Sequence, residues 1–555
     1  MSTPTTNSVG DTYVSASGQE SYIQALIEGD KWGGALGTGV SLTYSFPLAG
    51  ASYDTYYYSS MGEWTNWSPA ETSVQTNVAA ALAAWASVAN LTFTQVADNA
   101  SVVGDIRVAY SAAVDTENAA AWAYYPSDYP VGGDVWLSPQ AFTGRSSAPG
   151  SYNYFTLIHE IGHALGLSHS FGGSIDGVTL PLWSDNFSHS IMSYWTTSEN
   201  PGAGATQYCT TPMLYDIAAI QYLYGANTSY HTGDDTYTFD SSSTYWQTIW
   251  DAGGNDTIKV TGFHGSTIDL RAGQFSRIGA PVRNGDPYGV EEYDPITDTV
   301  AIAFGTTIEN ATAGGGNDIL IGNDVANTLS GGFGNDTISG GAGNDTLIGG
   351  GGYDRMDGGA GDDVLIVTAS GATLSEDVNG GTDTVQSAVT ISLARNFENL
   401  TLTGFDAING IGNKRDNVLV GNAYANILSG RDGNDTLIGG VGSDTLSGGE
   451  GVDLFYYESA SQGSDRIMDF EGGADKIGFY SPNFGNLAAG TLASGSFVVN
   501  GAATQSLATF LFNSATHTLS FDSDGTGVLA AVNIATFGRH TTLSANDILI
   551  NNGFS

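Results

Sequence analysis

The sequence predicts an α+β domain followed by an all-β parallel β-roll, and three observations carry that division. Mixed helix and strand patterns run from the start to about residue 230, and a nine-residue glycine–aspartate period takes over from Ala313. Composition agrees: the 555 residues include 76 glycines, far above average, which marks a loop-rich or repetitive architecture. A chain of this length has room for about three or four domain-sized units with sizeable cores.

In chain order, Ser68-Pro69-Ala70-Glu71 reads as a capping box with proline at the first helical position. Val74, Val78, Leu82 and Trp85 then form an apolar stripe, so a helix is expected to about Ala89. Leu91–Val96 and Asp105–Tyr110 read as strands. A later helix is marked by Leu214, Ile217 and Ala218 and stops at Gly225, which closes the first domain near residue 230.

Between these lies His159-Glu160-Ile161-Gly162-His163-Ala164-Leu165-Gly166-Leu167-Ser168-His169, an HExxHxxGxxH pattern. Histidines four apart project from one helix face about one turn from each other, so His159 and His163 can hold a single ion. Gly166 can turn left-handed, end the helix and bring in His169 as a third ligand. Three imidazoles leave open the fourth position that a catalytic zinc needs, and Glu160 is placed to act on a water there as a base. Ser190-Ile191-Met192-Ser193-Tyr194 follows and resembles the Met-turn that underlies the zinc of metzincins. His189, its neighbour, reads as structural because three histidines already complete the site.

From Ala313 the period is GGxGxDxUx, with U a large apolar residue. Its acidic position recurs at Asp318, Asp336, Asp345, Asp354 and Asp363, with Asn327 in the remaining slot. Its apolar position recurs at Leu320, Leu329, Ile338, Leu347, Met356 and Leu365. Such a pattern specifies a parallel β-roll that binds Ca²⁺ between stacked turns. Asp supplies carboxylate oxygen and the glycine turns expose carbonyls, here at Gly314, Gly316, Gly331, Gly332, Gly334, Gly341, Gly343, Gly349 and Gly358. A second array places Asn417, Asn426, Asp435, Asp444 and Asp453 in register over Leu419, Leu428, Leu437, Leu446 and Phe455. Asp435, Asp444 and Asp453 are calcium candidates, whereas the two Asn slots read as a cap or spacer. The organisation expected is residues 1–230, a first roll over 231–370, a β insertion over 371–411 that continues the stack, a second roll over 412–480, and a terminal β region over 481–555.

Charge narrows the partners. Only 13% of residues are charged, yet 57 are acidic against 15 basic, a formal net charge of −42. That surface excludes nucleic acid and disfavours anionic membranes, and it suits a divalent cation. No run of about 18 apolar residues exists, so no membrane span is expected. Met1–Gln19 is polar with no apolar h-region, which argues against a cleavable signal peptide. Cys209 is the single cysteine, so no intrachain disulfide can form; lying after the zinc motif, it cannot be a propeptide thiolate capping the metal.

These motifs resemble the serralysins, secreted bacterial metzincin proteases with a calcium-binding RTX repeat domain. The resemblance also covers Leu42-Thr43-Tyr44-Ser45-Phe46, Gly133-Asp134-Val135-Trp136, Pro212–Gln221 and Trp250–Asp256. It implies that the first domain is a metzincin catalytic domain with one zinc, and that Tyr194 is a further zinc ligand that swings aside during catalysis. From the residues alone, Tyr194 reads equally as a packed aromatic. It implies that Ala121-Trp122-Ala123-Tyr124 is the edge strand along which an extended substrate lies. It implies further calcium ligands at the junction: carbonyls of His231 and Gly233, the turn Asp251-Ala252-Gly253-Gly254-Asn255-Asp256, Asp235, Thr307 and Glu309. The tail from Asp465-Arg466-Ile467-Met468-Asp469-Phe470 resembles the terminal β-structure and uncleaved signal read by a type I secretion apparatus, with Asp547-Ile548-Leu549-Ile550 near its end. The expected protein is a secreted, extracellular, monomeric zinc endopeptidase acting on proteins and peptides. The alternative is a calcium-binding RTX surface or adhesion protein with a vestigial protease domain, a reading that an intact Glu160 and three histidines disfavour.

Overall fold

A computed structural model describes residues 16–51, 53, 56, 58, 62–99, 101–196, 205, 207–283 and 296–553. The polar start Met1–Ser15 and the last two residues of the tail, Phe554 and Ser555, lie outside the described residues. The chain forms two compact units, residues 1–308 and 309–555.

The first unit is built on a mixed sheet in the order Leu91–Gln95, Val40–Ser45, Ile106–Ser111, Val135–Leu137, Ala121–Ala123. The first four strands run parallel, and Ala121–Ala123 pairs antiparallel at the edge, Ala121 opposite Leu137 and Ala123 opposite Val135. Its long helix, Thr72–Val88, buries Val74, Val78, Leu82 and Trp85, as the apolar stripe requires. The start differs from the capping-box expectation. Ser68 pairs antiparallel with Tyr110, which holds its backbone extended, so the helix begins three residues later with Glu71 at the N-cap and no side-chain cap. Residues from the stretch 231–308 join this unit's core: Trp246, Trp250, Val282 and Ala303 pack with the cluster that contains Ile158 and Met192. Cys209 is fully buried there.

The second unit is a parallel roll. One sheet stacks Asn310–Thr312, Thr328–Ser330, Thr346–Ile348 and Val364–Val367; another stacks Ile319–Ile321, Thr337–Ala342, Arg355–Ala360 and Thr373–Ser375. Alternate repeats fall in alternate sheets, so Leu347 lies between Leu329 and Leu365, and Ile338 between Leu320 and Met356. All six are buried, one apolar residue per repeat. Residues 371–411 continue the stack without a break: Val385 pairs with Leu365 and Leu400, and Leu400 pairs with Leu419 of the second array. The roll ends against antiparallel strands Thr509–Asn513, Thr518–Asp522 and Val532–Phe537, where Phe479, Phe484, Phe510 and Phe521 interlock. The strand Ile548–Asn551 pairs parallel with Lys476–Tyr480, with Ile548 and Ile550 buried. Among the described residues no helix is long and apolar enough to cross a membrane.

Candidate active site

The helix Tyr152–Ala164 starts at Ser151, whose hydroxyl accepts the Tyr154 N–H at 3.2 Å. It ends in a Schellman motif: Leu167 N–H donates to the Gly162 carbonyl and Gly166 N–H to the His163 carbonyl, both at 2.9 Å. Gly166 has φ +104°, and a Cβ there would strike the Asp30 carbonyl oxygen, so glycine is required twice over. The reversal delivers His169 to the other two histidines. His163 Nε2 lies 3.1 Å from both His159 Nε2 and His169 Nε2.

Backbone carbonyls fix the tautomers. His159 Nδ1 is 2.7 Å from the Ile191 carbonyl oxygen and His163 Nδ1 is 2.7 Å from that of Leu167. A carbonyl only accepts, so each Nδ1 carries the proton and each Nε2 presents a lone pair inward. Lone pairs facing each other at 3.1 Å are an arrangement that a shared cation stabilises. Burial lowers all three rings, His159 to about 3, His169 to about 4 and His163 well below its ordinary value, so they are neutral at neutral pH and free to bind a cation. The nitrogen donor set fits zinc.

Glu160, on the same helix, is 6% exposed, and its Oε2 has no hydrogen-bond partner. Burial pushes its carboxyl up to about 8. It opens onto a cleft of about 410 Å³ lined by Ala119–Ala121, Tyr152, Phe155, Phe187 and Tyr194 among others. The Tyr194 ring is half exposed, 4.7 Å from the His169 ring and 5.8 Å from that of His159.

A residue that sequence reasoning did not single out holds the Met-turn. The Asp216 carboxylate is fully buried and accepts three bonds: Ser190 Oγ at 2.6 Å, Ile191 N–H at 2.8 Å and Met213 N–H at 2.9 Å. Because the Ile191 carbonyl accepts the His159 Nδ1–H, Asp216 orients the His159 ring through a single residue. The available signal was an acidic residue in the first turn of Leu214–Tyr224. Met192 itself is buried beneath the helix, and a Cβ on Gly162 would crowd its sulfur at 2.9 Å. Tyr125, also missed, stands edge-on to His163 with ring centroids 5.4 Å apart. His189 stays apart from the cage, its Nδ1 3.0 Å from Asn186 Oδ1.

Asp216→Asn turns an amide NH₂ toward N–H donors that need an acceptor. Zinc affinity should fall by about 10–100-fold with the far-ultraviolet spectrum unchanged, as for other partners of metal-bound histidine. An unaltered zinc dissociation constant would show that Asp216 serves packing alone.

In the roll, carboxylates stack as a ladder. Oδ1 of Asp336, Asp345, Asp363, Asp435, Asp444 and Asp453 each accepts the N–H of the residue 18 positions upstream at 2.7–2.9 Å. Their Oδ2 atoms are buried without a hydrogen-bond partner. Asp354 Oδ1 likewise accepts Asp336 N–H at 3.1 Å, and Asp318 begins this ladder. A Cβ on Gly331, Gly349 or Gly358 would strike the carboxylates of Asp336, Asp354 or Asp363, and one on Gly332 or Gly334 would strike the carbonyls of Gly314 or Gly316. Gly341 and Gly343 have φ +106° and +103° and face the carbonyls of Asn323 and Val325. The Asn slots differ: the side-chain amides of Asn327, Asn417 and Asn426 donate to carbonyls of the preceding turn, satisfying themselves without a cation. Upstream, His231, Asp235 and Asp251 bring ligand atoms within 4.8 Å of one another. It is the His231 imidazole that enters this group, while its carbonyl accepts Ala252 N–H at 3.2 Å. Asp256 Oδ1 accepts Asp235 N–H at 2.7 Å, Gly253 donates to Asp251, a Cβ on Gly254 would meet the Gly233 carbonyl, and Thr307 follows Thr306, which bonds the Asp251 carbonyl.

A family model described as Matrixin matches residues 55–176, and one described as Met-zincin matches residues 150–240. The model described as Peptidase M10 serralysin C terminal matches residues 215–550, more than half of the chain. The chain belongs to the serralysin family. Serralysin of Proteus mirabilis is 33% identical over 54% of this chain and 64% of its own length. Metalloprotease AprA of Pseudomonas entomophila (strain L48) is 36% identical over 52% of this chain and 60% of its own, and serralysin C of Dickeya chrysanthemi 37% over 43% and 51%. The chain thus spans between half and two thirds of the length of the curated relatives it matches. The extracellular lipase LipA from Serratia marcescens shares 19% identity over 42% of this chain and 40% of its own, at a TM-score of 0.14 that carries no structural argument. As a serralysin-family chain, this protein is an α+β metzincin domain followed by a parallel β-roll.

The ladder makes this serralysin-family roll sensitive to acid in an unusual sense. Burial, then the stacked neighbour's charge, raises Asp345 and Asp435 to about 7 and Asp363 and Asp453 to about 6. Free Asp titrates near 4. The folded, calcium-free roll therefore binds protons more tightly than the unfolded chain, and its stability falls as pH rises from about 4 to about 7. Calcium-stripped protein should gain β-type circular dichroism when moved from pH 7.5 to pH 5; a loss of that signal would contradict the ladder.

Proposed function

We propose that this chain is a secreted zinc-dependent endopeptidase whose roll is stabilised by calcium. The observation that carries the reading is the convergence of three imidazole Nε2 atoms, with the protons of His159 and His163 fixed on the far side, beside the buried free oxygen of Glu160. When bound by His159, His163 and His169, zinc supplies a Lewis acid for the scissile carbonyl and acidifies water. Glu160 would accept the proton of the attacking water at Oε2 and pass it to the leaving amine. Tyr194 would help hold the zinc and would supply its hydroxyl to the developing oxyanion. The free edge of Ala121–Ala123 aligns an extended peptide by adding it as a strand, and the adjoining aromatic-lined cleft takes a large apolar side chain.

Calcium is held by the Asp ladder and glycine carbonyls of both arrays and by the His231–Asp235–Asp251 group, extended by Asp256, Thr307 and Glu309. Export runs through a type I apparatus that reads the uncleaved C-terminal region, and the exported protein is an extracellular monomer. Purified protein with calcium should clear casein, lose this with a zinc chelator and regain it with added zinc. A zinc-loaded chain inert on casein would instead support the adhesion reading.

A further inference from the structure

The first array ends in a carboxylate cluster of which its glycine–aspartate period supplies only Asp363. Oxygens of Asp363, Glu376 and Asp383 come within 4.8 Å of one another. Asp363 and Asp383 are each 1% exposed and Glu376 9%. In every one of them, one oxygen is committed to backbone. Asp363 Oδ1 accepts Asp345 N–H at 2.7 Å and Asp383 Oδ1 accepts Asp363 N–H at 2.9 Å. Glu376 Oε1 accepts Asp377 N–H at 2.8 Å and Gly359 N–H at 3.2 Å. The second oxygens, Asp363 Oδ2, Glu376 Oε2 and Asp383 Oδ2, are buried and have no hydrogen-bond partner. The Arg415 guanidinium, whose charge reaches Asp383, is paired with Glu398 at 2.9 Å.

The register says what Glu376 replaces. A Cβ on Gly340 would meet the Asp345 carboxylate and the carbonyl of Gly358, and one on Gly430 would meet Asp435 and the carbonyl of Gly448. At Gly358 the same construction meets Asp363 and, instead of a glycine carbonyl, Glu376 Oε2. The ladder spacing also changes here, from 18 residues between Asp345 and Asp363 to 20 between Asp363 and Asp383. The insertion therefore brings a side-chain oxygen to the place that an inner turn fills with backbone.

We infer that Asp363, Glu376 and Asp383 hold one calcium ion that closes the first array, with the Glu376 carboxylate standing in for the missing glycine carbonyl. This rests on the reading that the stacked turns bind calcium. Hard carboxylate oxygens on three separate turns suit calcium's flexible coordination better than the small octahedron of magnesium. Three unneutralised carboxylates at this separation repel, and a divalent ion offsets most of that charge. Because the Glu376 carbonyl also accepts the Asn396 side-chain amide at 2.9 Å, the ion ties the insertion to the array.

The test counts calcium bound to the full chain by equilibrium dialysis and maps protection by hydrogen exchange. Glu376→Gln and Asp383→Asn should each bind one ion fewer than wild type, or hold one ion about tenfold more weakly. Protection over residues 373–402 should drop while residues 427–450 of the second array stay protected, which shows that the variant is folded. Glu376→Asp keeps the charge but withdraws the oxygen by one methylene, and should show the same weakened ion with the fold intact at high calcium. Unchanged stoichiometry, affinity and protection in Glu376→Gln overturns this site and leaves calcium binding by the inner turns standing. A wild-type chain that binds no calcium overturns both.

Discussion

Glu160→Ala is expected to keep one equivalent of zinc and lose proteolysis by orders of magnitude. The carboxylate is next to the metal ligands in sequence, yet its free Oε2 faces the cleft and the three imidazole Nε2 atoms face one another. Removing it therefore leaves the cage whole and deletes the proton acceptor. General-base catalysis is worth roughly 10²–10⁴-fold, and the loss should fall on kcat more than on KM because Glu160 contributes little to ground-state binding. Zinc is measured by atomic absorption and activity by casein hydrolysis. Substantial activity in the variant would remove Glu160 from the mechanism, and loss of zinc would make it a structural support of the cage.

Much of this site was legible because it is local. A helix four residues apart in its ligands, a glycine that must take positive φ and a histidine just beyond it are all set by spacing within eleven positions. Asp216 was not legible, because its role is visible only when the chain brings it to the Met-turn 26 residues earlier. The helix start at Thr72 was misplaced for a related reason: Ser68 has good capping chemistry, but its pairing with Tyr110 is a tertiary bond that overrides a local preference. In the roll, strict period revealed both arrays. The insertion was expected to continue the stack, but its register was not legible, because the paired residues Leu365, Val385, Leu400 and Leu419 are unevenly spaced and no repeat marks them. Glu376 was invisible on the same account, lying outside any repeat while its carboxylate fills a repeat's position.

Calcium removal is expected to unfold the second unit at neutral pH. Each nine-residue repeat of the first array buries one large apolar side chain, such as Leu329, Ile338 or Leu347. Burying one such side chain contributes about 1.5–3 kcal/mol, whereas ordering nine residues costs on the order of 9–18 kcal/mol of backbone entropy, most where glycine must be fixed. Backbone hydrogen bonds along the stack recover part of this, at about 0.5–1.5 kcal/mol each. The Asp ladder then works against the fold, since buried carboxylates at consecutive rungs lie with one oxygen unpartnered and like charge above and below. A divalent ion between turns reverses that last contribution, so its binding free energy becomes folding free energy. With EGTA at pH 7.5 the full chain should lose the β signal of residues 309–555, and hydrogen exchange should show peptides from 328–367 and 427–457 unprotected. Returning calcium should restore both in one cooperative transition, and magnesium should do so poorly. The first unit, with its own apolar core around Trp85, Ile158 and Met192, should keep its protection throughout. A roll that stays protected in EGTA would mean that packing alone holds the ladder together.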